Sequence, residues 1–285
     1  MDTLEISNIG SACGKNVYEP RNKTIMLLLC RHAPKLFRDK MIQNGNIKPL
    51  EGKSLKRPIE DSYNMYSSSV KDPKDFDSIE KKVINEIKTK TPDITNSELE
   101  TARNIVRDSL KKDCGKNTEA TVIQVSNYTK GNNRMWYYKD ANHGWNLKGF
   151  HDATDNDIVV EIKTRMKKEN VRKNEYDLYQ LFGYMLVMNK TRGMISQTFS
   201  GEIYKSTVEN NCEYGIIDIT ESYWNEKYIQ FYKDLDTFFK EVFLYSNSDF
   251  DISRVMKTGR IYAEYDKQGK FHNVDPKYTN VFKAL

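Results

Sequence analysis

The residues best placed to do chemistry lie in one stretch, "GFHDATDNDIVVEIKTR", Gly149 to Arg165. The pattern "DIVVEIKT" is that of a strand, and side chains on a strand alternate between faces. Val159, Glu161 and Lys163 therefore share one face, and Ile158, Val160 and Ile162 share the other, which is expected to meet the core. Asp152 lies nine residues before Glu161, on the preceding strand of a hairpin turned at "TDN", and that pairing sets it beside Glu161. Two carboxylates plus the backbone carbonyl of Ile162 make an all-oxygen set suited to Mg²⁺ or Mn²⁺, with positions left for water and a phosphate. Lys163 beside such an ion can orient or activate the attacking water and offset charge in the transition state. Acids for a metal and one cation near the water are what phosphodiester hydrolysis needs. Asp155 and Asp157 rival Asp152, but both sit in the turn, where Asp serves backbone geometry. The plain alternative for Glu161 and Lys163 is a solvated strand end with a surface ion pair.

The array Gly149-x-x-Asp152, then Glu161-x-Lys163, resembles the D…ExK core of the PD-(D/E)xK nuclease superfamily. Two further matches resemble its RecB-like and lambda-exonuclease-like branch. Glu119, in "CGKNTEATV", sits where those proteins carry an extra metal-holding glutamate, just after a helix. Gln180-x-x-x-Tyr184, in "YQLFGYMLVMN", matches the helix whose Q-x-x-x-Y motif contacts DNA or supports the site. The resemblance covers roughly residues 97 to 220. It implies a restriction-endonuclease-like mixed β-sheet flanked by helices. It implies a Mg²⁺- or Mn²⁺-dependent deoxyribonuclease acting in DNA replication, recombination or repair, exonuclease favoured over endonuclease. Asp152, Glu161, Ile162 and Glu119 become the metal set, and Asp152, Glu161, Lys163, Glu119, Gln180 and Tyr184 the catalytic group. His151 stands where many members have Pro, and the iron–sulfur cysteines of some RecB-like proteins are absent. The rivals are a non-catalytic nucleic-acid-binding module on the same fold and an RNA endonuclease of the cap-snatching sort. Gln180 and Tyr184 also have bland readings, a polar residue on a buried helix and a core tyrosine.

A basic run follows the core strand: Lys163, Arg165, Lys167, Lys168, Arg172 and Lys173, with Gln180 beyond it. Next to a metal site such a run can grip a DNA backbone. Arg134, Trp136, Tyr137 and Tyr138 mix a cation with aromatics, as single-strand stacking surfaces do; by alternation Trp136 and Tyr138 share a face. His151 points away from Asp152 on a regular strand and reads as structural. His32, His143 and His272 lack zinc-ligand spacing.

Several elements have to position these residues. Helical periodicity marks Phe76–Lys90 and Ser97–Lys112, the second capped at Asn96 or Ser97 and stopped by Gly115. Ala120–Tyr128, rich in β-branched residues, reads as a strand returning through "KGNN" into Arg134–Lys139. Trp145–Ala153 and Asp157–Thr164 form the next pair. A helix fits Lys173–Asn189, strands fit Met194–Ser200 and Glu213–Ile219, and a long aromatic-striped helix fits about Glu221–Leu244. The sum is an α/β (α+β) chain with a mixed sheet flanked by helices. Residues 1 to 70 are irregular in pattern, with a polar linker at Gly52–Pro73. The expected division is an N-terminal extension over 1–70, a core over 71–250 and a tail over 251–285.

Composition bounds these readings. The chain has 285 residues, with 45 Lys+Arg against 40 Asp+Glu, a net charge of +5. That length is ample for a core without staples, and 12% aromatics argue against disorder. A charge of +5 permits a polyanion partner without demanding one. The longest apolar run, Ile25–Cys30, is far short of a membrane span, so a soluble intracellular protein of cytoplasm or nucleus is expected, with no membrane partner. Cys13, Cys30, Cys114 and Cys212 are scattered without a C-x-x-C pair, which reads as reduced thiols and no iron–sulfur cluster. The abundance of Lys, Asn, Ile and Tyr fits an AT-rich genome, a viral one included. "GSACGKN" is one residue short of a phosphate loop and ends in Asn16 rather than Ser or Thr.

Overall fold

The computed structural model describes residues 3–50, 56–67, 73–131, 134–165, 174–199, 215–246 and 249–285. In chain order they form β1 (Thr3–Glu5), a 3₁₀ turn (Ile6–Asn8), α1 (Ile9–Ala12), α2 (Arg21–His32), α3 (Pro34–Gln43) and β2 (Ile47–Pro49). Then come α4 (Lys56–Asn64), α5 (Phe76–Lys90), α6 (Asn96–Val125), β3 (Thr129–Lys130), β4 (Trp136–Lys139), β5 (Asn146–Gly149), β6 (Ala153–Asp155) and β7 (Ile158–Arg165). The rest is α7 (Glu175–Val187), β8 (Arg192–Phe199), β9 (Ile217–Asp218), α8 (Ser222–Tyr245), β10 (Ala263–Tyr265), β11 (Phe271–His272) and α9 (Thr279–Lys283). The class is mixed α/β, as the order of patterns in the sequence indicated.

A five-stranded mixed sheet, β3-β6-β7-β8-β9, holds the centre. β6 and β7 pair antiparallel with Ala153 opposite Val160 and Asp155 opposite Ile158. Asn156 closes the turn at φ 54°, a left-handed conformation that Asn tolerates. β7 and β8 run parallel, so the chain must cross over between them, and α7 lies in that connection. Parallel strands covered on both faces read as continuous apolar runs, and β7 obeys this on one face from Ile158 to Ile162 and on the other at Val159, before Glu161 and Lys163 break the pattern. Ile158, Val160 and Ile162 pack with Val122 and Ile123 at the end of α6. Val159 joins the main core with α7 residues Leu178, Leu181 and Met185. Gly193, opposite Val159, permits that approach: a Cβ there meets the Met185 sulfur at 2.8 Å.

α6 corrects the expected chain path. It runs for 30 residues straight through Gly115, so there is no helix stop at Gly115 and no strand over Ala120–Tyr128. Thr95 and Glu98 form a reciprocal capping box at its start. The buried stripe Leu99, Ala102, Val106, Leu110, Cys114, Thr118 and Val122 keeps helical spacing across the glycine. Each buried Leu or Val contributes roughly 2 kcal/mol. That outweighs the ~1 kcal/mol helical cost of Gly115 and the weaker preferences of Thr118, Thr121, Val122 and Ile123. The first half of α6 packs on α4 and α5 through Ile59, Ile79, Val83 and Ile87, the last turns on the central sheet. Arg134–Lys139 is therefore not the return strand of a 120–128 hairpin. β4 instead pairs with β5, while β3 pairs with β6. Trp145–Ala153 is two strands, broken at Phe150–Asp152, which places Asp152 where the chain passes from one sheet to the other.

The described residues among the first 70 are not irregular: β1 pairs parallel with β5, and β2 pairs parallel with β10. α2 contributes Ile25 through Cys30 to the main core, so the longest apolar run is a buried helix. The stretch expected as a Gly52–Pro73 linker holds α4. The other strand and helix expectations fall near observed elements, Glu213–Ile219 shrinking to β9. Among the described residues no helix is long and apolar enough to cross a membrane.

Candidate active site around Asp152, Glu161 and Lys163

The β6–β7 register, continued by one residue, puts Asp152 opposite Glu161. Asp152 is fixed by its own hairpin partner: the Ile162 N–H donates to Asp152 Oδ2 at 2.8 Å. Gly131 secures the other flank, its N–H donating to the Asp152 carbonyl at 2.8 Å. A Cβ at Gly131 lands 2.2 Å from the His151 carbonyl oxygen, so only glycine allows this contact. His151 turns away, its Nδ1 taking the Trp136 indole N–H at 3.0 Å, which agrees with a structural role.

Glu161 and Lys163 project from β7 toward α7, and both are withdrawn from solvent. Glu161 is 1% exposed. Lys163 Nζ lies 2.6 Å from Glu161 Oε1, 2.8 Å from Gln180 Oε1 and 3.6 Å from Asp177 Oδ1. The solvated surface ion pair is thereby excluded. Asp177, Gln180 and Tyr184 stand at spacings of three and four on α7, one face of the helix turned to β7. Tyr184 is 4% exposed and hydrogen-bonds the Gln180 side chain. Gln180 thus bridges the ammonium and the phenol.

The electrostatics are lopsided. Glu161 has its carboxyl pushed up to about 8, first by burial and then by the charge of Asp152, against the pull of Lys163. Burial also raises Asp152, opposed by the Ile162 hydrogen bond. Lys163 is held as ammonium: burial lowers it, but Glu161 and then Asp177 outweigh that. Glu161 Oε2 is buried with no hydrogen-bond partner. Burying such charges costs several kcal/mol per ion, and apolar residues of the same volume serve stability as well or better. A cluster kept at that cost is a functional-site candidate.

Glu119 lies on α6, not just after a helix as expected. It is half-buried, and its carboxyl is raised by burial and next by Asp152. It therefore faces the pair electrostatically. Among the described residues, however, no three His, Cys, Asp or Glu side chains converge as a ready metal cage. Lys167, Lys168, Arg172 and Lys173 lie outside the described residues. Two buried groups escaped the sequence reading. Asp177 is 1% exposed, and Gln197, opposite Lys163 on β8, is 1% exposed. Asp177 had a signal, since it precedes Gln180 by three and so shares its helix face. Gln197 had none before the parallel register was known.

Comparison with known proteins adds little to this geometry. No family model matches the chain, and no curated protein matches it. A solved structure titled "Crystal structure of SSO0001" aligns with 66% of this chain and 87% of its own. The identity is 12% and the TM-score 0.33, a likeness too loose to assign fold or function.

Proposed function

We propose that this chain is a Mg²⁺- or Mn²⁺-dependent DNA nuclease whose central sheet is a restriction-endonuclease-like core of the PD-(D/E)xK type. The observation that carries the reading is the unpartnered Glu161 oxygen, buried beside Asp152 and next to a Lys163 held by Glu161 and Gln180, with Asp177 near by. The residues fit a hard cation. Asp152 and Glu161 would supply oxygens, and the Ile162 carbonyl and Glu119 are the further donors the resemblance assigns, Glu119 forming no ready three-acid cage with them among the described residues. The metal supplies Lewis acidity and a lowered pKa for bound water.

The chain's own groups do the rest. Asp152, locked to the Ile162 N–H, presents its other oxygen in a fixed direction. Glu161 gives one oxygen to Lys163 and keeps the other free of any hydrogen-bond partner. Lys163, as ammonium, orients the attacking water and offsets charge building on the phosphate oxygens. Gln180 and Tyr184 hold the Lys163 head group in place. Lys167, Lys168, Arg172 and Lys173, between β7 and α7 in sequence, are assigned to the DNA backbone. The Q-x-x-x-Y helix and motif-one Glu119 favour end-directed cleavage over internal cleavage.

The test is a cleavage assay on end-labelled single- and double-stranded DNA, with free and blocked ends, in Mg²⁺ or Mn²⁺. Metal-dependent release of nucleotides that vanishes in Glu161→Gln and Lys163→Ala supports the reading. Cutting by both variants sinks it, and binding without cleavage of any DNA or RNA favours a non-catalytic module.

A further inference from the structure

One cavity is lined by neither Asp152, Glu161 nor Lys163, yet reaches their cluster through Tyr184. This cavity, of about 250 Å³, is lined by Met135, Phe150 and Tyr184, by Lys148 and Gly149 of β5, and by Glu5, Ile6 and Ser7 at the start of the chain. Tyr184 belongs to both places: its ring is within 3.0 Å of a Cβ built on Gly149, and its hydroxyl bonds Gln180 of the Lys163 cluster. Phe150 is 49% exposed, a large apolar side chain presented to solvent two residues before Asp152. Lys148 is held only loosely, 4.0 Å from a Glu5 that Arg31 engages at 2.8 Å. One residue beyond Met135, the exposed Arg134 lies over the Trp136 ring at 5.0 Å.

Given the nuclease reading on which this rests, we propose that the cavity receives one unpaired nucleobase of the DNA strand being cut, so that the substrate is single-stranded at that nucleotide. A slot lined by aromatic and thioether groups and a cation matches a base with its phosphate. Because the slot shares Tyr184 with the site, its occupant belongs to the same strand as the phosphate held by Asp152 and Glu161. A base inside a duplex is stacked on both faces and cannot enter. The N-terminal strand thereby acquires a role, as part of the lining of the base slot.

The test uses ten-nucleotide single strands carrying 2-aminopurine at the 5′ or the 3′ end, with Ca²⁺ replacing Mg²⁺, and a blunt duplex of the same sequence as reference. Wild-type protein is expected to change the fluorescence of at least one labelled strand saturably. Phe150→Ala is expected to weaken single-strand binding roughly tenfold relative to duplex, the scale of one lost base stack. Met135→Trp, which fills the slot without removing charge, should do the same, both variants keeping the wild-type melting temperature. An unchanged 2-aminopurine signal, or equal losses on single strand and duplex, overturns the slot. Cleavage by a wild type that leaves the label unperturbed overturns the slot alone. A perturbed label with no cleavage of any end supports the slot and removes the nuclease reading.

Discussion

The two faces of β7 are equally buried and chemically opposite. Toward α6, Ile158, Val160 and Ile162 meet Val122 and Ile123 in a dry apolar layer. Toward α7, Glu161 and Lys163 meet Asp177, Gln180 and Tyr184. Both layers exclude water, so burial alone does not tell them apart. The apolar layer is stable because nothing in it wants water. The charged layer is a stored electrostatic cost, and under the proposed function a bound cation would relieve it. One strand thus carries a stabilising face and a working face, one residue out of phase.

That contrast can be broken experimentally. The largest effect is expected from Glu161→Gln, a drop in cleavage of about 10³-fold or more, with the melting temperature held because a buried carboxyl that burial already disfavours ionising is replaced by a neutral amide. Loss of fold together with activity would contradict the division. Asp177→Asn comes next: Lys163 keeps its hydrogen-bond partners Glu161 and Gln180 but loses a nearby negative charge, and kcat should fall some 10- to 100-fold at little-changed KM. An unaltered kcat would remove Asp177 from the site. On the apolar face, Val160→Ala should cost about 2 kcal/mol in denaturant unfolding and leave kcat near wild type.

The pH response separates the faces too. A carboxyl raised to about 8 in the folded state keeps a proton that the unfolded chain releases near its ordinary value. Metal-free protein should therefore lose stability as pH rises from about 5 to 8. Mg²⁺ should restore it and Glu161→Gln should flatten the slope; a metal-independent slope argues against the cation. The smallest effect is Gly115→Ala, where a Cβ meets nothing within 4 Å. A gain of roughly 0.5–1 kcal/mol is expected from an uninterrupted α6.

The hairpin that carries Asp152 and Glu161 could be read from sequence because its signals are local: a two-residue period, a turn of Asp and Asn, and carboxylates at matched distances from it. α6 could not, because Gly115 and the β-branched run after it argue locally for a stop, and only burial against two separate clusters overrides them. The N-terminal helices were missed for a related reason: Ile25–Cys30 is apolar all round since α2 is enclosed on every side, leaving no period to find. The site was legible as far as side chains on one element go. Gln197 depends on a parallel register with a strand some 30 residues on, which no spacing rule provides.

The pairing of β1 with β5 and of β2 with β10 bears on how the chain assembles. Thr3 finds its partner only at Asn146, and Ile47 only at Ala263. Contacts so distant in sequence close slowly, since the intervening chain has to be gathered first. During synthesis β2 waits with an open edge until almost the whole polypeptide has emerged, while α4, α5 and the start of α6 can collapse on neighbours already made. The β1–β5 and β2–β10 pairings are thus late events in folding, and shortening either end removes a closing step rather than an ornament.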